Sequence, residues 1–238
     1  MMNFPAELSP NVLNTRIDGV MIGIVTNNND PDKLGRVKLH LPLHDEKAET
    51  GWARIATMMA GKEMGSLFIP EVGDEVLVAF HLGQIRYPIV IGTLWNSKQA
   101  PPSPADKNDE RKIVSRSGNQ ILFTDKAGEE TITIKTKKGQ TAVFADKDDS
   151  LTIADSNGNN QISIQGGSAN EITISSSSTV IKIDAKGSVK IESAKEINIK
   201  STQVNIEASA TMTIKSGAAL DIKSDGMINI KGTMVKIN

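Results

Sequence analysis

Val189-Lys190-Ile191-Glu192-Ser193-Ala194-Lys195-Glu196-Ile197-Asn198-Ile199 states a phrase that the chain then repeats: an aliphatic residue, a polar one, then isoleucine. Further copies are Val204-Asn205-Ile206, Met212-Thr213-Ile214, Leu220-Asp221-Ile222, Ile228-Asn229-Ile230 and Val235-Lys236-Ile237. Looser copies run back through Ile181/Ile183, Ile172/Ile174, Ile162/Ile164, Leu151/Ile153 and Ile132/Ile134. A fixed short period marks stacked architecture, in which each unit shelters its apolar face only against its neighbours. The two aliphatics of a phrase lie two residues apart and so share one face of a strand, while the residue between them faces the other way. Corners carry Ser, Thr, Ala, Lys or Gly, with Gly187, Gly217, Gly226 and Gly232 available for positive φ.

Two aliphatics per unit cannot alone offset the ordering of a whole unit, and a lone strand has two open edges. The strands therefore need neighbours that pair both edges and cover the face. A solitary parallel β-helix would need a bulkier interior, yet no aromatic follows Phe144. The pattern predicts an intertwined triple-stranded β-helix, with three chains each supplying one side of a thin prism. Its trimer core is expected to be Val189, Ile191, Ile197, Ile199, Val204, Ile206, Met212, Ile214, Leu220, Ile222, Ile228, Ile230, Val235 and Ile237. Leu151 to Ile162 is longer than the distal repeats, so the base should be wider and looped and the shaft tight.

Upstream the composition changes. All 9 prolines lie at or before Pro104 and all 3 histidines at or before His81. The segment Gln99-Ala-Pro-Pro-Ser-Pro-Ala-Asp-Lys-Asn-Asp109 is a stiff polar connector. The expected organisation is an N-terminal arm (1–15), a small β-barrel (16–97), a linker (98–112) and a needle (113–238). In the barrel, strands are expected near 16–26, 35–41, 52–59, 75–81 and 89–94. Val76, Val78 and Phe80 should face one way and Leu77, Ala79 and His81 the other. Five short strands suggest a closed barrel of the OB type.

A nucleic-acid role requires a basic groove with aromatic platforms. The net charge is −1 and the basic residues do not cluster. Trp52, Phe68, Phe80, Tyr87 and Trp95 sit in apolar contexts that predict a core role for most of them. His40 and His44 flank Leu-Pro-Leu, where Pro42 argues against the helix that such a ligand pair needs. Ala60-Gly61-Lys62 lacks the upstream glycine of a phosphate loop. No nucleophile–base constellation or paired carboxylates stand out. Gly166-Gly167 lacks the continuation of a calcium nonapeptide, and cysteine is absent. The expectation is a non-enzymatic protein without cofactor, metal or nucleic acid. Residues 1–20 lack a continuous apolar core, which predicts synthesis in the cytoplasm without a signal peptide.

Four ordered stretches carry a resemblance. They are Asp30-Pro-Asp-Lys-Leu-Gly-Arg-Val-Lys-Leu-His-Leu-Pro42, Trp52-Ala-Arg-Ile-Ala-Thr57, Phe68-Ile-Pro-Glu-Val-Gly-Asp-Glu-Val-Leu-Val-Ala-Phe80 and Tyr87-Pro-Ile-Val-Ile-Gly-Thr-Leu-Trp-Asn96. Together they resemble the OB-fold of gpV- and VgrG-type baseplate spikes of phage tails, type VI secretion and extracellular injection systems. Ser115-Arg-Ser-Gly-Asn-Gln-Ile-Leu-Phe-Thr-Asp125 is similar to that family's entry into its β-helix. The resemblance implies a homotrimeric central spike in an assembled phage tail or secreted injection particle. It implies hub and baseplate proteins at the N-terminal end, a PAAR-type tip protein at the other, and a target membrane pierced rather than bound. The hub would be a separate protein or a preceding region absent from this sequence. The short linker leaves no room for the lysozyme domain that some relatives insert, and no histidine follows His81 to build a His-x-His iron apex. Tip docking is expected at Met234, Val235, Ile237 and Asn238. The alternative is a repetitive β-helical adhesin or tail-fibre segment, for which the aromatic-free distal sequence is poorly suited.

Overall fold

Glu75–Phe80 alternates as its sequence demands: Val76, Val78 and Phe80 are buried, while Glu75, Leu77 and Ala79 are half-buried. In the computed structural model, which describes residues 16–44, 48–102 and 107–237, this segment is β6 at the middle of a five-stranded sheet. The others are β1 (Val20–Asn27), β2 (Lys38–His40), β3 (Arg54–Ile55) and β7 (Pro88–Leu94). The order is β2-β1-β6-β7-β3, with β3 and β7 parallel and the other pairs antiparallel.

The sheet closes on itself. Val37, just before β2, and Ala53, just before β3, exchange backbone hydrogen bonds at 3.0 and 2.7 Å. Closure removes both edges, and a ring in this order with one parallel pair is an OB-fold. Its interior is Val25, Val37, Leu39, Leu41, Ala53, Val76, Val78, Phe80 and Val90. A short hairpin, β4 (Ala60–Gly61) with β5 (Met64–Gly65), projects between β3 and β6 in sequence.

The expected role of the aromatics is corrected here. Only Phe80 joins the interior; Phe68 is 65% and Trp95 70% exposed. Trp52 is half-buried beneath two cations, with Arg36 Cζ 5.9 Å and Lys38 Nζ 5.5 Å from its ring centroid. The small barrel fills with Val and Leu, which leaves no volume for indole rings.

Nine further strands follow: β8 (Glu110–Val114), β9 (Gln120–Thr124), β10 (Thr131–Lys135), β11 (Thr141–Ala145), β12 (Ser150–Ala154), β13 (Asn160–Gln165), β14 (Glu171–Ser176), β15 (Thr179–Asp184) and β16 (Val189–Glu192). They stack in strict chain order, each beside its sequence neighbours. Two expectations change. The ladder begins at Glu110, inside the expected linker at 98–112. From there to Glu192 the strands pair with their own chain as an antiparallel meander, where an intertwined path was expected from residue 113.

Turn chemistry permits the reversals. Gly139 takes φ 96° between β10 and β11. Asp155 Oδ1 accepts the backbone N–H groups of Asn157 and Asn159 at 3.3 and 3.0 Å, tying the β12–β13 turn. Asp155 Oδ2 accepts from Asn160 Nδ2 at 2.6 Å; that contact leads the causes that lower its carboxyl pKa.

Past Glu192 the character changes, and the chain divides into compact units between Ile191 and Glu192. No strand or bridge occurs at residues 193–237. Segments outside any ladder alternate with bends at 194–195, 202, 209–210, 217–218, 225–226 and 233. Gly187 has φ 82°, but Gly217, Gly226 and Gly232 do not adopt positive φ, so these corners need no left-handed residue.

Candidate functional site: an uncovered aliphatic face

Cross-strand register turns isolated apolar pairs into continuous columns. On one face of the meander, Ile113 lies opposite Ile121, Ile121 opposite Ile134, and Ile134 opposite Ala142. The column continues through Ile153, Ile162, Ile174 and Ile181. Beside it run Phe123, Ile132, Phe144, Leu151, Ile164, Ile172 and Ile183. The opposite face carries Lys112, Thr133, Thr152, Ser163, Thr173 and Lys182, with Leu122 and Val143 in the same column and Val180 beside it. Alternation puts the isoleucine pairs on one side, so the first face is a continuous apolar surface.

That surface is not covered by the chain itself. Ile134 is 47%, Ile162 42% and Ile174 46% exposed, and these residues help line a shallow trough across β10–β14. The distal segment repeats the condition. From Ile197 to Ile237 the first aliphatic of each pair is 47–55% exposed and the second 64–88%. The proposed core residues Val189, Ile191, Ile197, Ile199, Val204, Ile206, Met212, Ile214, Leu220, Ile222, Ile228, Ile230, Val235 and Ile237 are thus all exposed in the single chain. Met234 and Ile237 are the most exposed of the distal apolar residues, at 87% and 88%; Asn238 lies outside the described residues.

The chain exposes 19862 Å². A folded monomer of this size exposes about 10,000 Å². The exposed isoleucine columns are contiguous apolar surface, which marks an interaction site.

Part of this face lies outside the repeats legible in the sequence. Ile121/Phe123 and Ala142/Phe144 join the columns, and their two-residue spacing was the available signal.

In the OB domain the residues examined for chemistry resolve into structure. Asp30 is buried, and its carboxylate accepts from Arg36 Nε at 2.8 Å and Nη2 at 2.7 Å. It also accepts the backbone N–H groups of Asp32, Leu34 and Arg36. The guanidinium holds this carboxyl well below the usual carboxylate range, and the carboxylates of Asp30 and Asp32 push Arg36 upward. The motif Asp30-Pro-Asp-Lys-Leu-Gly-Arg36 is therefore a self-clamped loop between β1 and β2. Lys38 Nζ reaches Glu49 Oε2 at 2.7 Å, which lowers the Glu49 pKa together with the hydroxyl of Thr26.

Ala60-Gly61-Lys62 is the first arm and corner of the β4–β5 hairpin. His40 lies in β2 and His44 beyond its end, and no group of three or more potential metal ligands occurs among the described residues.

A closed OB barrel followed by a ladder of one-faced aliphatic strands defines an all-β protein of modular, stacked construction. Residues 21–95 match the type VI secretion system/phage-baseplate injector OB domain family. The spike protein VgrG1b of the Pseudomonas aeruginosa type VI secretion system is 34% identical over 122 residues, 46% of this chain and 16% of that protein. VgrG3 of Vibrio cholerae, also named a type VI spike protein, is 30% identical over 143 residues, covering 54% and 14%. The actin cross-linking toxin VgrG1 of Vibrio cholerae is 28% identical over 137 residues, covering 52% and 12%. The chain thus spans only a small part of the length of these relatives. Residues 21–95 thus carry the injector OB domain of that family, and about half of the chain is similar to VgrG spike proteins.

Proposed function

We propose that three copies of this chain form the central spike of a contractile injection machine, which pierces a target envelope and carries a tip protein. The observation that carries the reading is the uncovered aliphatic face of the meander, together with exposed aliphatic pairs at 197–237 in segments that have no ladder partner in their own chain. Three chains around one axis would cover that face and pair those segments, forming the triple-stranded β-helix. The trimer core would then be the distal aliphatic pairs and the columns of the meander.

In this reading the arm (1–15), OB domain (16–97), linker (98–112) and needle (113–238) act in series. Hub and baseplate proteins would engage the N-terminal end, and the OB domain offers Met58, Leu67 and Phe68 as exposed apolar side chains. A PAAR-type tip protein would dock on Met234, Val235 and Ile237, the first and last being the most exposed distal apolar residues. The role is mechanical and non-enzymatic, within an assembled injection particle, and the relatives' designation as spike proteins supports it. The distal segment contains no aromatic, which favours passage through an envelope over adhesion to it.

Sedimentation equilibrium of the full chain at micromolar concentration tests the reading. A mass of three chains is expected; a folded, stable monomer overturns it.

A further inference from the structure

Each distal phrase before Val235 is followed by one more residue on its outward face, two positions beyond the central polar residue. These residues are Glu192, Lys200, Glu207, Lys215, Lys223 and Lys231, and all are exposed in the described chain. In each case a bend begins two positions further on, at 194–195, 202, 209–210, 217–218, 225–226 and 233. They therefore occupy the same place in every unit, the strand end just before the corner. Their charges read minus, plus, minus, plus, then plus and plus. Where the alternation stops, the strand supplies its own counter-charge: Lys223 Nζ lies 3.2 Å from Asp221 Oδ2.

We infer that this column of alternating charge sets the register between chains, selecting a stagger of one unit between neighbouring strands of different copies. The inference rests on the three-chain reading. Stacked strands lie about 4.8 Å apart, so equivalent outward side chains on neighbouring strands touch. With a one-unit stagger Glu192 meets Lys200, Lys200 meets Glu207 and Glu207 meets Lys215, three opposite-charge contacts against the two like ones of Lys223 with Lys215 and Lys231. With no stagger every contact is between like charges, and with a stagger of two units only Glu207–Lys223 is opposite against three like pairs, which is unfavourable at this separation. The aliphatic pairs do not discriminate in this way, because nearly every unit offers the same two side chains and slips freely past its neighbour. The charge column supplies what the uniform core lacks, as charged flanking positions do in coiled coils.

Charge inversion tests this on the full chain. E207K places like charges at both of its contacts in all three chains. It is expected to lower the trimer's melting midpoint by about 5 °C at low salt. The difference should close at about 1 M salt, where the Debye length is only ~3 Å. The triple variant K200E/E207K/K215E restores the parent's number of opposite-charge contacts and is expected to recover most of the loss. Zero-length carbodiimide coupling of trimers mixed from isotopically light and heavy chains should join Lys200 of one chain to Glu207 of another. A trimer in which E207K melts like the parent, or the triple variant melts below E207K, overturns the column and leaves the three-chain reading standing. A folded monomer overturns both.

Discussion

Arg36 holds Asp30 through two guanidinium nitrogens, Nε to Oδ2 at 2.8 Å and Nη2 to Oδ1 at 2.7 Å, at the loop between β1 and β2. Nη2 also reaches Asp32 Oδ2 at 2.6 Å. A fork-to-fork pair of this kind fixes direction as well as charge. It explains why the loop needs aspartate at its start and arginine at its end: a lysine would meet the carboxylate as a point charge and lose one of the two bonds.

The depressed Asp30 pKa has a definite sign in stability. In the unfolded chain this carboxyl ionises near pH 3.9. Folding lowers that value, so the stabilisation is fully present above about pH 4 and is lost as pH falls below it. Urea midpoints between pH 7 and pH 3 should fall steeply at the acid end for the parent. Asp30→Asn should be less stable at pH 7 and show a flatter acid limb. A parallel acid limb in the variant would assign the titration elsewhere.

Ile174 tests whether the meander's face is covered. It lies opposite both Ile162 and Ile181, yet is 46% exposed in the single chain. If no partner covers it, Ile174→Ala costs within about 0.5 kcal/mol, as surface substitutions do. In the three-chain spike the same change should cost about 2–5 kcal/mol per chain. Ile174→Asp should prevent assembly, read as loss of the trimer in sedimentation with the OB domain still folded.

Gly65 is the tight point of the β4–β5 hairpin. Its φ is 143°, and a Cβ there would lie 2.4 Å from the carbonyl oxygen of Met59. Backbone cannot yield as a flexible side chain would, so Gly65→Ala should destabilise the hairpin by about 1–3 kcal/mol. Hydrogen exchange should rise at Ser66, whose N–H donates to Met59 O at 3.1 Å. Gly51, which has nothing within 4 Å of its Cβ position, should accept alanine with little change.

Periodicity made the barrel and the columns legible before the structure was known. Val76, Val78 and Phe80 could only face one way, and the isoleucine pairs could only share a face. The exposed positions of Phe68 and Trp95 were not legible, because hydrophobicity gives no indication of whether a side chain is covered by its own chain or by another. The cis meander was not legible from spacing. β14 and β15 reverse through residues 177–178 alone, and β15 and β16 pair although their aliphatic pairs are spaced like the distal repeats. The lengthening of the repeats toward Leu151 predicted a looped base without specifying self-pairing.

The change at Glu192 yields the last prediction. Strands β8–β16 hydrogen-bond within one chain, so their interior amides should resist exchange whenever that chain is folded. Residues 194–237 show no pairing in their own chain, and their amides acquire ladder partners only if other copies supply them. Deuterium uptake followed across a dilution series should therefore separate the two. Peptides from 131–184 should remain protected as the trimer dissociates, while those from 196–231 lose protection in step with the trimer's mass. Protection of the distal peptides in a monomeric chain would mean that they find partners in cis, and three-chain pairing would be wrong. Simultaneous loss in both regions would mean that the meander also depends on assembly, with coverage of the isoleucine face outweighing its own hydrogen bonds.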